Sequence, residues 1–182
     1  MKEFIMKKTL IAVVLGCAAI LAARDIKDNL ERAVIGADMI PGWQINKSGK
    51  AADYGKGKII VGHEADEKAL QLNAPADRTL SIYMQSSTPV KVGEYLEFSA
   101  DVKGKGMVTI SYYTYNAKDQ YIGDVKTQSQ SFTLTENLKE IKCKLKIMPS
   151  KSNSLGRIRP CIVVSKGGEL VIEDIDIEID ND

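Results

Sequence analysis

Seven tyrosines and one tryptophan are the side chains of this chain best suited to holding a ligand, and four of the tyrosines lie close together. Tyr112, Tyr113 and Tyr115 precede the turn Asn116-Ala117-Lys118-Asp119, and Tyr121 follows it. A flat aromatic ring packs against the apolar C–H face of a pyranose while polar neighbours take its hydroxyls. In a strand, side chains alternate, so Tyr113 and Tyr115 share one face and Ile110 and Tyr112 the other. With Val108 and Ile110 directed into a core, Tyr113 and Tyr115 face outward. The patch then reads in two ways: a stacking platform for a sugar, or ordinary β-forming tyrosine covering a sheet. Arg157 and Arg159 are two apart and also share a face. Guanidinium forks suit sugar hydroxyls or carboxylates, and ion pairing with a neighbouring strand explains the pair equally well.

Bond-breaking chemistry finds no comparable constellation. A nucleophile–histidine pair has only His63 to draw on, in the loop-like segment Gly62-His63-Glu64-Ala65-Asp66. No spacing among the 24 acidic residues singles out an acid and a nucleophile, and no glycine-rich phosphate loop is present. We therefore expect no enzyme. Of the three cysteines, Cys143 and Cys161 fall in apolar strand patterns, where they read either as a disulfide or as packed thiols. With one histidine and no close cysteine pair, a His/Cys metal centre is not expected. The C-terminus gathers Glu173, Asp174, Asp176, Glu178, Asp180 and Asp182. These are either a solvated sheet face or the oxygen cluster that a hard cation requires.

The elements that must position these residues are strands. Residues 1–23 read as an export signal: a lysine-bearing start, then an uncharged apolar run ending in small residues, too short to span a membrane as a helix. Val14-Leu15-Gly16-Cys17 resembles a lipobox, which would make Cys17 a lipid anchor and the only route to a membrane. The apolar run continues past it, as in an ordinary signal cleaved near Ala22 or Ala23, and both readings stand. The mature chain, 24–182, is expected to be a single domain. The whole chain balances 25 Lys and Arg against 24 Asp and Glu; without the leader's three lysines and one glutamate the balance is 22 to 23. So neutral a domain has no basic footprint for a phosphate backbone, which disfavours nucleic acid as a partner.

Asp25 to Val34 predicts a short helix, with Ile26, Leu30 and Val34 four apart and Asp25 as N-cap, in competition with a strand over Asn29 to Ile35. Trp43 falls in a loop-like stretch as a plug for the core. From Lys58 onwards short strands alternate with turn signals, the pattern of a two-sheet antiparallel β-sandwich or jelly roll. The expected strands are Lys58–Gly62, Ala69–Asn73, Leu80–Gln85, Tyr95–Lys103, Met107–Asn116, Gln130–Thr135, Lys139–Met148, Arg157–Ser165 and Leu170–Ile179. Lys103-Gly104-Lys105-Gly106 and Lys166-Gly167-Gly168-Glu169 read as tight hairpin links. Ile141, Cys143, Leu145 and Ile147 alternate with lysines, as in a half-buried strand. A break between Ile172 and Ile175 indicates a bulge near Glu173-Asp174.

The order of landmarks resembles the carbohydrate-binding-module jelly rolls of the galactose-binding-domain-like class. Those landmarks are Asn29-Leu30-Glu31, Gly42-Trp43, Gly62 followed by Ala69-Leu70-Gln71-Leu72, Val90-Lys91-Val92-Gly93-Glu94-Tyr95, Lys103-Gly104 and Ile172-Glu173-Asp174-Ile175. The resemblance implies the jelly-roll fold and a non-catalytic glycan-binding role. It also implies a structural calcium ion joining the first strand to the last, with Glu31 and Asp174 as ligands. Where the family often carries a further tryptophan, this chain has Leu138, so the sugar platform would rest on Tyr113, Tyr115 and Tyr121, with Arg157 and Arg159 as its polar rim. The resulting expectation is an exported protein, secreted, periplasmic or lipid-anchored at the bacterial cell envelope, that binds a cell-surface or environmental glycan. The alternative is a structural or protein-interaction jelly roll with an envelope protein as partner.

Overall fold

The computed structural model describes residues 23–27, 29–47, 53–123, 127–152 and 154–181. Residues 1–22 of the segment read as an export signal, with Cys17, and Asp182 lie outside the described residues. The fold is an all-β sandwich of two antiparallel sheets. In chain order its strands are β1 (Arg24–Asp25), β2 (Trp43–Ile45), β3 (Lys56–Val61), β4 (Lys68–Asn73), β5 (Leu80–Met84) and β6 (Thr88–Pro89). They continue with β7 (Tyr95–Lys105), β8 (Met107–Asn116), β9 (Gln130–Thr133), β10 (Lys139–Lys146), β11 (Leu155–Val164) and β12 (Glu169–Asp180). The first sheet runs β10-β7-β12-β4-β3, with β1 added along β12; the second runs β2-β5-β11-β8-β9, with β6 added along β11.

The period-two patterns place the core. In β10, Ile141, Cys143 and Leu145 are buried and Lys142, Lys144 and Lys146 are exposed. Leu70, Leu72, Leu96, Phe98 and Ile177 face inward from the first sheet, and Leu80, Ile82, Ile110, Ile158 and Ile162 from the second. Each fully buried aliphatic side chain contributes about 1.5–3 kcal/mol relative to exposure. Tyr112 also points inward: its hydroxyl donates to the Lys146 carbonyl at 2.7 Å and accepts from the Met148 N–H at 3.3 Å, tying the second sheet to β10.

Both glycine-rich links differ from expectation. They are not hairpins: β7 and β8 belong to different sheets, as do β11 and β12, so each link carries the chain from one sheet to the other. The two crossings lie side by side. The Ser165 N–H donates to the Met107 carbonyl at 2.9 Å, and the Met107 N–H to the Ser165 hydroxyl at 3.0 Å. Gly106 has φ 93°, and a Cβ there would come 2.5 Å from that hydroxyl oxygen. Short loops between long strands suit either connection, and only the partners of each strand decide between them.

The N-terminal segment also departs from expectation. Arg24 and Asp25 pair with Ile179 and Glu178 at the edge of β12, and helical geometry is confined to a 3₁₀ turn at Leu30–Arg32. Arg24 is held by Glu94 at 2.6 Å and by the Pro89 carbonyl at 2.9 Å, which favours the extended form over a helix capped by Asp25. Ile26 and Leu30 are buried, but Val34 is 72% exposed, so the four-residue spacing marks no helical stripe. Trp43 is in the core as expected, but within strand β2 rather than a loop. The register of β12 shifts between Glu173 and Asp176, the expected bulge; Asp174 within it has φ 49°.

Candidate functional site

The outward faces of the two sheets differ in kind. On the first, Lys144 lies 2.8 Å from Glu97 and 3.3 Å from Asp180, and its ammonium sits 4.7 Å from the centre of the Tyr95 ring. This is a charged face in contact with water, where such pairs contribute little stability. The acidic residues Asp176, Glu178 and Asp180 belong to it. Glu173 shares that side of the sheet, opposite Asp101, but is covered: it is 2% exposed, with its carboxylate accepting from the His63 N–H.

The second sheet carries the tyrosines. Register places Tyr115 opposite Arg157, Tyr113 opposite Arg159, and Ser111 opposite Cys161; Cys161 in turn faces Tyr83, which faces Gln44. All project from the same side, because Leu80, Ile82, Ile110, Tyr112, Ile158 and Ile162 take the other. Tyr113 is the hub. Its ring meets Tyr83 edge-on at 5.5 Å between centroids and Tyr121 at 6.3 Å. Its hydroxyl accepts from the Asn46 amide at 2.9 Å and lies 3.1 Å from the Ser81 hydroxyl. The Tyr83 hydroxyl accepts from the Gln44 side-chain amide. Burial raises the phenol pKa of Tyr113 above its ordinary value.

A built turn brings Tyr121 to this face. The Asn116 side chain accepts from the amides of Lys118 and Gln120, at 2.9 and 3.0 Å, and the Ile122 N–H donates to the Thr114 carbonyl at 2.8 Å. The chain thereby folds back on β8, and Tyr115 and Tyr121 form an isolated antiparallel bridge with their rings 5.8 Å apart. Tyr121 is 64% exposed. Tyr115 points outward as expected, but is not an open ring: the Arg159 guanidinium lies 4.3 Å above it and, with Tyr121, leaves it 9% exposed. Such a stacked arginine contributes about 0.5–2 kcal/mol.

Ion pairing accounts for one of the two arginines. Arg159 Nη2 donates to Asp119 Oδ2 at 2.8 Å, so it is ion-paired, although to a turn rather than to a strand. Its Nε is buried and has no hydrogen-bond partner among the described residues. Arg157 is held by uncharged oxygens: Nε by the Ser87 hydroxyl and Nη2 by the Ser87 carbonyl, each at 2.6 Å. The Ser87 hydroxyl beside Asp119, and then Arg159, lower the carboxyl pKa of Asp119 below its ordinary value. The five residues expected to bind ligand therefore meet on one surface.

Sequence reasoning missed Tyr83, Ser81, Gln44 and Asn46. The alternation Leu80-Ser81-Ile82-Tyr83-Met84 already places Ser81 and Tyr83 on the polar face of a strand. That β5 lies near β8, with only β11 between them, is not visible in the chain. Cys143 and Cys161 are both free thiols. Cys143 lies in the core and Cys161 beneath the tyrosine face, 3.2 Å from the Ser81 hydroxyl. His63 is an exposed loop residue whose backbone N–H donates to Glu173 at 2.7 Å.

Glu31 and Asp174 do line one cavity of about 460 Å³, together with Asp66, Glu67 and Lys68. Its donor set does not fit a calcium ion. The Lys68 ammonium donates to the Glu31 carbonyl at 2.7 Å, so a side-chain cation already engages an oxygen there. Glu173 Oε1, buried and without a partner among the described residues, does not line this cavity. No group of three His, Cys, Asp or Glu side chains suited to a metal occurs among the described residues.

No family model matches this chain, and no curated protein matches it in sequence. Solved structures do resemble it in fold. The family 11 carbohydrate-binding module of cellulase Lic26A-Cel5E from Clostridium thermocellum aligns with a TM-score of 0.51 at 15% identity, over 86% of this chain and 95% of the module. The CBM22-1 xylan-binding domain of Xyn10C from Paenibacillus barcinonensis gives 0.53 at 11% identity, over 81% and 91%. A Stig cyclase, Fisc, from Fischerella sp. TAU gives 0.61 at 9% identity, over 87% and 98%. In two larger neighbours, a bacteriophage CBA120 tailspike and the arabinofuranosidase MgGH51, this chain spans only 20% and 26% of the other chain. At these identities the likeness is one of fold: a jelly-roll-like sandwich that carbohydrate-binding modules share with enzymes.

Proposed function

We propose that this protein is an exported, non-catalytic carbohydrate-binding module of the galactose-binding-like jelly-roll type. The observation that carries the reading is the outward face of the second sheet, where Tyr83, Tyr113, Tyr115 and Tyr121 cluster beside Arg157 and Arg159. The exposed ring of Tyr121 and the partly exposed rings of Tyr83 and Tyr113 offer apolar surface to a pyranose. Guanidinium and amide groups at the rim take its hydroxyls. The groups are held by hydrogen bonds before any ligand arrives, which lowers the entropy lost on binding. Likeness to two carbohydrate-binding modules supports the same reading. Asp119, a carboxylate beside the arginines, is engaged by Arg159, and glycoside hydrolysis needs a pair of carboxyl groups flanking the bond.

The test is affinity electrophoresis of the mature domain through gels containing mixed-linked glucan, xylan and a panel of other soluble polysaccharides. Retardation by at least one polysaccharide is expected. Tyr121→Ala should weaken it about tenfold, the equivalent of ~1.4 kcal/mol. Because Tyr121 is largely exposed, its removal should leave the melting temperature nearly unchanged. A folded protein that no polysaccharide retards would overturn the glycan reading and favour a protein partner in the cell envelope.

A further inference from the structure

We infer that the glycan taken by this face is acidic, a polymer bearing uronate carboxylates; the inference rests on the glycan reading above. The outward side chains of β5, β8 and β11 include two positive charges, Arg157 and Arg159, and no negative one. The turn after β8 brings a single carboxylate, Asp119, and that carboxylate contacts Arg159 alone of the two, at 2.8 Å. Arg157 is fixed by the neutral oxygens of Ser87 through Nε and Nη2 and makes no direct ion pair among the described residues, although Ser87 also lies beside Asp119. Guanidinium groups can take the hydroxyls of a neutral sugar, but two of them beside Asp119 leave the rim of these rings with one net positive charge. A carboxylate on the sugar supplies the missing charge, and a planar guanidinium matches a planar carboxylate in geometry. The remaining nitrogen of Arg157, Nη1, is the donor left for it, while the rings of Tyr113 and Tyr121 pack the sugar's apolar face.

The first sheet shows the contrast. The lysine ion pairs described there are to Glu97, Asp180 and Glu140, and a single ring, Tyr95, lies beneath Lys144 and Lys146. Excess positive charge and aromatic surface coincide on the second sheet.

The experiment measures retardation of the mature protein by polygalacturonate, alginate and glucuronoxylan, each beside its carboxyl-reduced form, with dextran sulfate as a general polyanion. At least one uronate polymer should bind tenfold or more tightly than its reduced form, and the preference should shrink several-fold between about 50 and 500 mM salt. Arg157→Gln should abolish the preference. Asp119→Asn, which removes the carboxylate paired with Arg159, should strengthen binding to the same polymer two-fold or more; it also guards against an Arg157 variant that fails to fold. Equal affinity for acidic and reduced forms would overturn the inference while leaving a glycan module. Equal retardation by dextran sulfate would overturn it in favour of an unspecific anionic surface. Binding to no polysaccharide at all would remove both readings.

Discussion

Tyr113 shows how one side chain serves both the stability of the sheet and the shape of the site. Its hydroxyl is fixed by Asn46 and Ser81, its ring edge touches Tyr83 and Tyr121, and beneath it lies Cys161. Burial raises the pKa of Tyr112, Tyr113 and Tyr115, and pushes the Cys143 thiol up to about 11. A raised folded-state pKa means that the native state holds its proton more tightly than the unfolded chain. Its stabilising effect is complete below the unfolded value and is lost as pH rises through the folded one. Stability should therefore fall once the pH exceeds about 9, where unfolded thiols and then phenols begin to ionise. Denaturant midpoints measured from pH 7 to 11 check this. At pH 8 neither thiol should react with a disulfide reagent until the protein unfolds, because both are buried. Fast modification of either in the native state would contradict the burial described.

Among the elements, the first segment and the last strand meet at the β12 bulge, and there a lysine stands where a metal was expected. Lys68 on β4 reaches the Glu31 carbonyl in the 3₁₀ turn and pins that turn to the first sheet. The melting temperature should accordingly be the same in millimolar calcium and in a chelator. Lys68→Met should lower stability by about 1 kcal/mol, the size of one charge-assisted hydrogen bond near solvent. A calcium-dependent rise of several degrees would show that this cavity takes the metal after all. At the bulge Glu173 is covered by the loop after β3, where the His63 N–H donates to it, while Asp174 is exposed, so two adjacent acids acquire different environments.

For the whole molecule, stability is shared between two sheets that the chain crosses between repeatedly. The crossings from β7 to β8 and from β11 to β12 lie side by side, so neither sheet can form its central strands without the other. Truncation in either sheet should then act on one cooperative transition. Leu70→Ala and Ile162→Ala should each cost about 2–5 kcal/mol. Trp43, the sole tryptophan and 3% exposed, reports the second sheet by fluorescence, and far-ultraviolet circular dichroism reports both. The two probes should give the same denaturant midpoint for the parent and both variants. Separate transitions would mean that the sheets fold independently.

Alternation was enough to read most of the fold from the chain. Period two in segments such as Ile141 to Ile147 dictates which side faces the core, and β8 spans Met107–Asn116 as its residues predict. Alternation also placed Tyr113 and Tyr115, and likewise Arg157 and Arg159, on outward faces, because a strand's two sides follow from position alone. What it could not supply were the partners. Whether a Gly-rich link closes a hairpin or crosses between sheets depends on which strands pair, and that is decided by burial of both inner faces at once. For the same reason Tyr83 on β5 joined the tyrosines of β8 only when β11 came between them. The covering of Tyr115 by Arg159, and the difference between a paired arginine and one held by Ser87, are tertiary facts, set by side chains 40 to 70 residues apart in sequence.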